Sequence, residues 1–199
     1  MQPSIIISRS ENQVLIQDRP VPGFNPEQYV HRKLTFDCSG MTFDYSVVDM
    51  PTNNQDNKFG DIGVFCRSIV RKDHVLKGPD AREDKRLDVP ISKHSYVIFE
   101  LPEEWTFSSK ADRPGVTLGI KPGEGNPDSD AYGQLRYVTA STVSPAPIEK
   151  CRLVFFSAID RDGTVANPYI QPINFNIVTS DGVAVVVDPD IRFPGNGTS

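Results

Sequence analysis

Two patterns of apolar and polar positions recur along this chain. Over residues 41–49, Met41, Phe43, Tyr45 and Val47 interleave with Thr42, Asp44 and Ser46. This period of two puts apolar side chains on one face of a strand and polar ones on the other. Elsewhere the β-forming residues are continuous. Residues 151–159 (Cys-Arg-Leu-Val-Phe-Phe-Ser-Ala-Ile) run into Asp160-Arg161-Asp162-Gly163. Residues 173–178 run through Thr179-Ser180-Asp181-Gly182 into Val183-Ala184-Val185-Val186-Val187. Asp-Gly between such runs predicts a hairpin, because tight turns need the left-handed backbone that glycine adopts without a Cβ clash. The expected hairpins join 151–159 to 164–171 and 173–178 to 183–187.

The remaining pattern predicts strands over 4–9, 13–18, 30–37, 61–70, 96–101, 116–121 and 135–142. Residues 30–37 and 41–49 pair about Cys38-Ser39-Gly40. Over 61–70, Ile62, Val64, Cys66 and Ser68 share one side, with a bulge marked by Gly60 and Gly63. Loops are expected at 19–28, 51–59 and 122–133, with a stiff Ser144-Pro145-Ala146-Pro147 connector. No amphipathic helix and no fixed-period repeat is expected. The fold class is therefore all-β: a two-sheet antiparallel β-sandwich, immunoglobulin-like or jelly-roll, of about 8–10 strands. It forms a single domain over 1–199, with a charged loop or short helix at 71–88 and a flexible tail at 194–199. Phe43, Tyr45, Val64, Phe99, Leu153, Phe155, Phe175 and Val185 are expected to share the core.

Composition narrows the function classes. A chain of 199 residues buries a core without cross-links, since roughly 70% of the unfolded surface is lost on folding at this size. Seventeen prolines belong in turns and edges, because proline donates nothing to a sheet ladder. The net charge of −5 disfavours nucleic acid and anionic membranes, which need a basic footprint. Cys38, Cys66 and Cys151 are three in number, so no disulfide framework is implied, and small buried thiols are expected. Neither a secretory leader nor a membrane-length apolar run is visible, so the expected location is the bacterial cytoplasm or the interior of a virus-infected cell. Asn196-Gly197-Thr198 matches a glycosylation sequon, which is without meaning in a chain that is not secreted.

Candidate chemistry is sparse. Asp128-Ser129-Asp130, Asp160-Arg161-Asp162 and Asp188-Pro189-Asp190 are acid pairs. Such pairs can share a hard cation, so Asp128, Asp130, Asp160 and Asp162 are candidate calcium ligands if two pairs converge. Aspartate also builds turns by capping backbone amides. Trp105, Tyr132 and Tyr137 are candidate ring-stacking residues for a sugar, set against simple core filling. His31, His74 and His94 fall in no metal-ligand spacing, and no nucleophile elbow or phosphate loop is present. The run Val187-Asp188-Pro189-Asp190-Ile191 resembles the Asp-Pro-x-Ile ending of small bacterial β-sandwich proteins of the inclusion-body type. That family is methionine-rich and lacks the second hairpin, and the resemblance implies no chemistry. The expected function is a non-catalytic structural or interaction protein, acting through its surface on a protein partner or on itself. The alternatives are a carbohydrate- or calcium-dependent binding module using loop 122–133, and a hydrolase with an unrecognised site.

Overall fold

A computed structural model describes residues 14–37, 40–49, 61–71, 82–84, 89–119, 129–161, 169–187 and 190–193. The chain is mostly β. Strands β1 (Gln28–Asp37) and β2 (Gly40–Asp49) form the expected hairpin, in register from Gln28 opposite Asp49 to Asp37 opposite Gly40. Helix α1 (Ile62–Val70) follows, then β3 (Arg82–Asp84), β4 (Val89–Pro90) and β5 (Ser95–Glu100). Four short strands come next: β6 (Thr106–Phe107), β7 (Ser109–Lys110), β8 (Arg113–Pro114) and β9 (Val116–Leu118). The last six are β10 (Tyr132–Val138), β11 (Val143–Ser144), β12 (Leu153–Ala158), β13 (Tyr169–Val178), β14 (Ala184–Val187) and β15 (Asp190–Phe193).

One sheet has seven strands in the order β11-β10-β12-β5-β1-β2-β3. A second has six and is organised around β13, which pairs with β14, β15, β9 and β6, and β7 and β8 form a small two-stranded sheet of their own. Most pairings are antiparallel, but β1–β5 and β4–β15 are parallel. A purely antiparallel architecture is therefore corrected. Between β2 and β5 come α1, β3 on the far side of β2 and β4 in the other sheet; β5 then joins the side of β1 away from β2 in the same direction, a connection a tight turn cannot make.

The period of two sorts the seven-stranded sheet's side chains onto two apolar clusters. Val30, Leu34, Val97, Phe99, Val154 and Phe156 face a core shared with Phe107, Val116, Ile173, Phe175 and Val187 of the six-stranded sheet. The Phe99 and Phe175 rings meet there at 4.4 Å. Tyr29, Ile98, Leu153 and Phe155 face the other way, against Phe65, Cys66 and Ile69 of α1. Strand β12 is buried on both faces, which is why its sequence is continuous rather than alternating. The expected single core is corrected: Phe99 and Phe175 are buried in the cluster between the sheets, with Val185 packed partly against it, whereas Leu153 and Phe155 are buried in the separate cluster under α1, because alternate positions of one strand face opposite sides of the sheet. The side chains of Phe43 and Tyr45 lie outside the described ones.

Several expectations are corrected. Residues 61–70 are a helix with its cap, not a strand. Ile62, Phe65, Cys66 and Ile69 lie on one helical face, and the Asp61 carboxylate accepts from Gly63 N–H at 2.7 Å, closing the first turn. Val64 consequently points to solvent, 42% exposed, instead of joining the core. The expected pairing across Asp162-Gly163 is corrected: β12 pairs with β10 and β5, while β13, from Tyr169, belongs to the other sheet. Strand β13 runs ten residues through Pro172, whose carbonyl accepts from Gly119 N–H at 2.9 Å. Residues 14–18 contribute one bridge, Val14 to Leu118, rather than a strand. Within 71–88, Arg82–Asp84 is a strand paired to β2. Gly60, Asp162-Gly163 and the tail 194–199 lie outside the described residues.

Candidate functional site

The second Asp-Gly turn forms as expected, and it presents an edge strand, β14. Gly182 N–H donates to the Thr179 carbonyl at 2.9 Å and Thr179 N–H to the Val183 carbonyl at 3.0 Å. Gly182 takes φ +80°, the left-handed residue that follows a type I turn in a three-residue hairpin loop. The Thr179 hydroxyl donates to the Asp181 carboxylate, which holds that carboxyl below its ordinary range, and Val183 N–H donates to Thr179 Oγ1 at 3.1 Å. The turn delivers β14 onto β13 with Val178 opposite Ala184 and Phe175 opposite Val187. Among the described residues, β14 pairs with β13 alone. Val183 is 53% exposed, Ala184 is exposed, and Val185 and Val186 are half-buried. Among the described residues, the edge thus combines a backbone paired on one side only with uncharged, mostly β-branched side chains, the composition that accepts another strand.

A charge cluster lies on the outer face of the seven-stranded sheet. The parallel β1–β5 register sets Lys33 opposite Glu100 and His31 one step away on the same face. His31 Nε2 lies 3.1 Å from Glu100 Oε2, and Lys33 Nζ lies 4.0 Å from Oε1. His31 and Glu100 are both buried. Burial pushes the Glu100 carboxyl up, but the hydrogen bond to His31 and the charges of His31, Lys33 and Arg152 outweigh it and hold the group below its ordinary value. Arg32, on the opposite face, is 1% exposed. Sequence reading did not single out this cluster. A charged residue between Val30 and Leu34 on an apolar stripe was a signal for Arg32. Nothing local pairs His31 with Glu100, because their contact depends on the parallel register.

The expected site residues are distributed as follows. Tyr132 and Tyr137 are core residues of β10, each 1% exposed. The Tyr137 hydroxyl accepts from Val116 N–H at 3.3 Å, and burial pushes its phenol to about 12. Trp105 packs at the margin of the same core. The three rings therefore present no common stacking face to solvent. Asp130 and Asp160 do reach the same end of the β10–β12 pair, where Ile159 N–H donates to the Ala131 carbonyl at 2.9 Å. The Asp130 carboxylate is engaged by Arg19, and the Asp160 backbone N–H donates to His94 Nδ1 at 3.2 Å. Asp128 and Asp162 lie outside the described residues. Among the described residues no three His, Cys, Asp or Glu side chains converge as metal ligands. Cys66 and Cys151 are buried free thiols. Burial pushes Cys66 well above the ordinary thiol value and Cys151 to about 11, so both pack as small apolar groups rather than thiolates. Cys38 lies outside the described residues. No described helix is long and apolar enough to cross a membrane.

No protein-family model matches the chain, and a search of curated proteins finds no significant match.

Proposed function

We propose that this chain is a non-catalytic structural or interaction protein, built as a two-sheet β-sandwich, that self-associates by edge-to-edge pairing at β14. The observation that carries the reading is the open, uncharged edge Ala184–Val187 beside the exposed Val183. Natural proteins usually blunt such an edge with lysine, proline or a bulge. Here Asp181 and Asp188 only flank it. Antiparallel pairing of two copies about a twofold axis sets valine and alanine against one another, with no like charges opposed within the strand. The shared Phe99–Phe175 core supports the stacked-sheet architecture and gives the edge a rigid base.

Sedimentation velocity tests the reading. The wild-type chain should show a concentration-dependent rise in mass. The double variant Val183→Lys/Ala184→Lys changes two exposed positions and should shift the distribution to monomer with its melting temperature unchanged. A wild-type chain that is monomeric at every concentration, or a variant that associates as well as wild type, removes the edge from consideration.

A further inference from the structure

The segment from Val14 to Val21 is held in an unusual way. Val14 makes the single two-way bridge to Leu118, donating and accepting at 3.4 and 2.8 Å. Ile16 and Val21 are buried, whereas Leu15 is 58% exposed. The segment then crosses the β10 bulge at Gly133, where β10 and β12 slip register. A Cβ on Gly133 would overlap the Arg19 carbonyl oxygen and stand 2.8 Å from Val21 Cγ2. Only glycine leaves room for this crossing. Two ion pairs fasten it, Arg19 to Asp130 and Asp18 to Arg136. Arg19, Asp130 and Asp18 are half-exposed or more, and pairs of that kind contribute little to stability.

The connection to the rest of the chain is one tight turn. Phe24 N–H donates to the Val21 carbonyl at 3.1 Å across Pro22-Gly23, and Gly23 takes φ +73°. This is the proline–glycine type II arrangement. Glu27 N–H, three residues on, is already tied to the His94 carbonyl at 2.8 Å. The segment is thus tied to β1 by a short proline-bounded hinge and, anchored by Ile16 and Val21, is docked in a seat formed by Leu118, Gly133, Asp130 and Arg136. Every contact it makes in that seat is equally available to the same segment of another copy. Hinges of this length are the element through which identical segments exchange.

We propose that residues 14–21 are an exchangeable arm, and that its second occupant-partner is another copy of this chain, with each copy placing its arm across Gly133 of its neighbour. The exchange goes beyond edge pairing at β14 and does not require it, so it is tested in the Val183→Lys/Ala184→Lys background.

The test is complementation by charge reversal. An arm variant carries Asp18→Arg and Arg19→Asp. A seat variant carries Asp130→Arg and Arg136→Asp. Each variant alone opposes like charges whether its arm is closed or exchanged with its own kind. Mixed, the two restore both ion pairs only by exchange. Native mass spectrometry of the mixture should show a heterodimer well in excess of either homodimer. Two separate monomers after prolonged mixing overturn the proposal. Gly23→Ala provides a second reading should either charge variant fail to fold. Its Cβ meets nothing within 4 Å, so it penalises only the closed turn, and it should raise the dimer fraction several-fold. A Gly23→Ala chain that remains monomeric at all concentrations also overturns the exchange.

Discussion

At the scale of the residue, Glu100 is the group most sensitive to its surroundings. Its carboxylate is buried, accepts from His31 and faces Lys33. Because its folded-state value is depressed, its contribution is fully present above the ordinary carboxylate range and is lost as pH falls through the lower folded value. Glu100→Gln removes the charge that accepts from His31 and pairs with Lys33. The variant should lose about 3 kcal/mol at neutral pH, the low end for breaking a buried pair. Its stability should also fall less steeply than wild type on acidification. Urea titrations across the acid limb measure both effects, and parallel curves for the two chains would show that Glu100 does not couple to folding. The period of two alone would place His31 and Lys33 on one face. It is silent on Glu100, which arrives from a strand more than sixty residues away.

Among the elements, the β13–β14 hairpin and α1 show opposite relations between local and tertiary forces. The hairpin is local. Asp181-Gly182 meets the backbone demand of the turn, and Thr179 closes it with both backbone and hydroxyl. Gly182→Ala should cost roughly 1–2 kcal/mol, the penalty for a Cβ in left-handed backbone. A Cβ there meets no neighbour within 4 Å, so the loss is purely conformational. Thermal unfolding of that variant is the measurement, and an unchanged midpoint would contradict the turn geometry. Helix α1 is the reverse case. Ile-Gly-Val-Phe-Cys-Arg-Ser-Ile-Val is rich in β-branched residues and fits both periods. The Asp61 cap and the apolar surface of Tyr29, Leu153 and Phe155 select the helix, and local propensity yields.

For the whole molecule, Phe175 is a central residue of the core where the seven- and six-stranded sheets meet. It contacts Phe99 of the seven-stranded sheet at 4.4 Å and Phe107 of its own sheet at 5.9 Å. Phe175→Ala should cost about 3–5 kcal/mol, as aromatic truncations in a packed core do. If the sheets fold as one unit, far-ultraviolet dichroism and Trp105 fluorescence should report the same single transition in wild type and variant. Separate transitions in the wild-type chain would instead divide the sheets into independent units. The second cluster, under α1, is built on the reverse face of the same strands, so Phe155 and Phe156 serve different cores while adjacent in sequence.

By itself the sequence determined the β class, the β1–β2 and β13–β14 hairpins, the strands β5 and β12, and the burial of Phe99, Leu153, Phe155 and Phe175. Each of these follows from side-chain periodicity or from a turn whose backbone only certain residues adopt, and both are properties of a few neighbouring positions. Only the tertiary structure decided that β12 and β13 part to different sheets despite the Asp-Gly between them, and that β1 and β5 run parallel. It likewise made Tyr132 and Tyr137 core residues and brought Glu100 to His31. Hydrogen bonding along a strand edge is nearly indifferent to which strand supplies the partner. The partner is therefore chosen by which faces can be buried together, a condition spread over the whole chain and met only once it has folded.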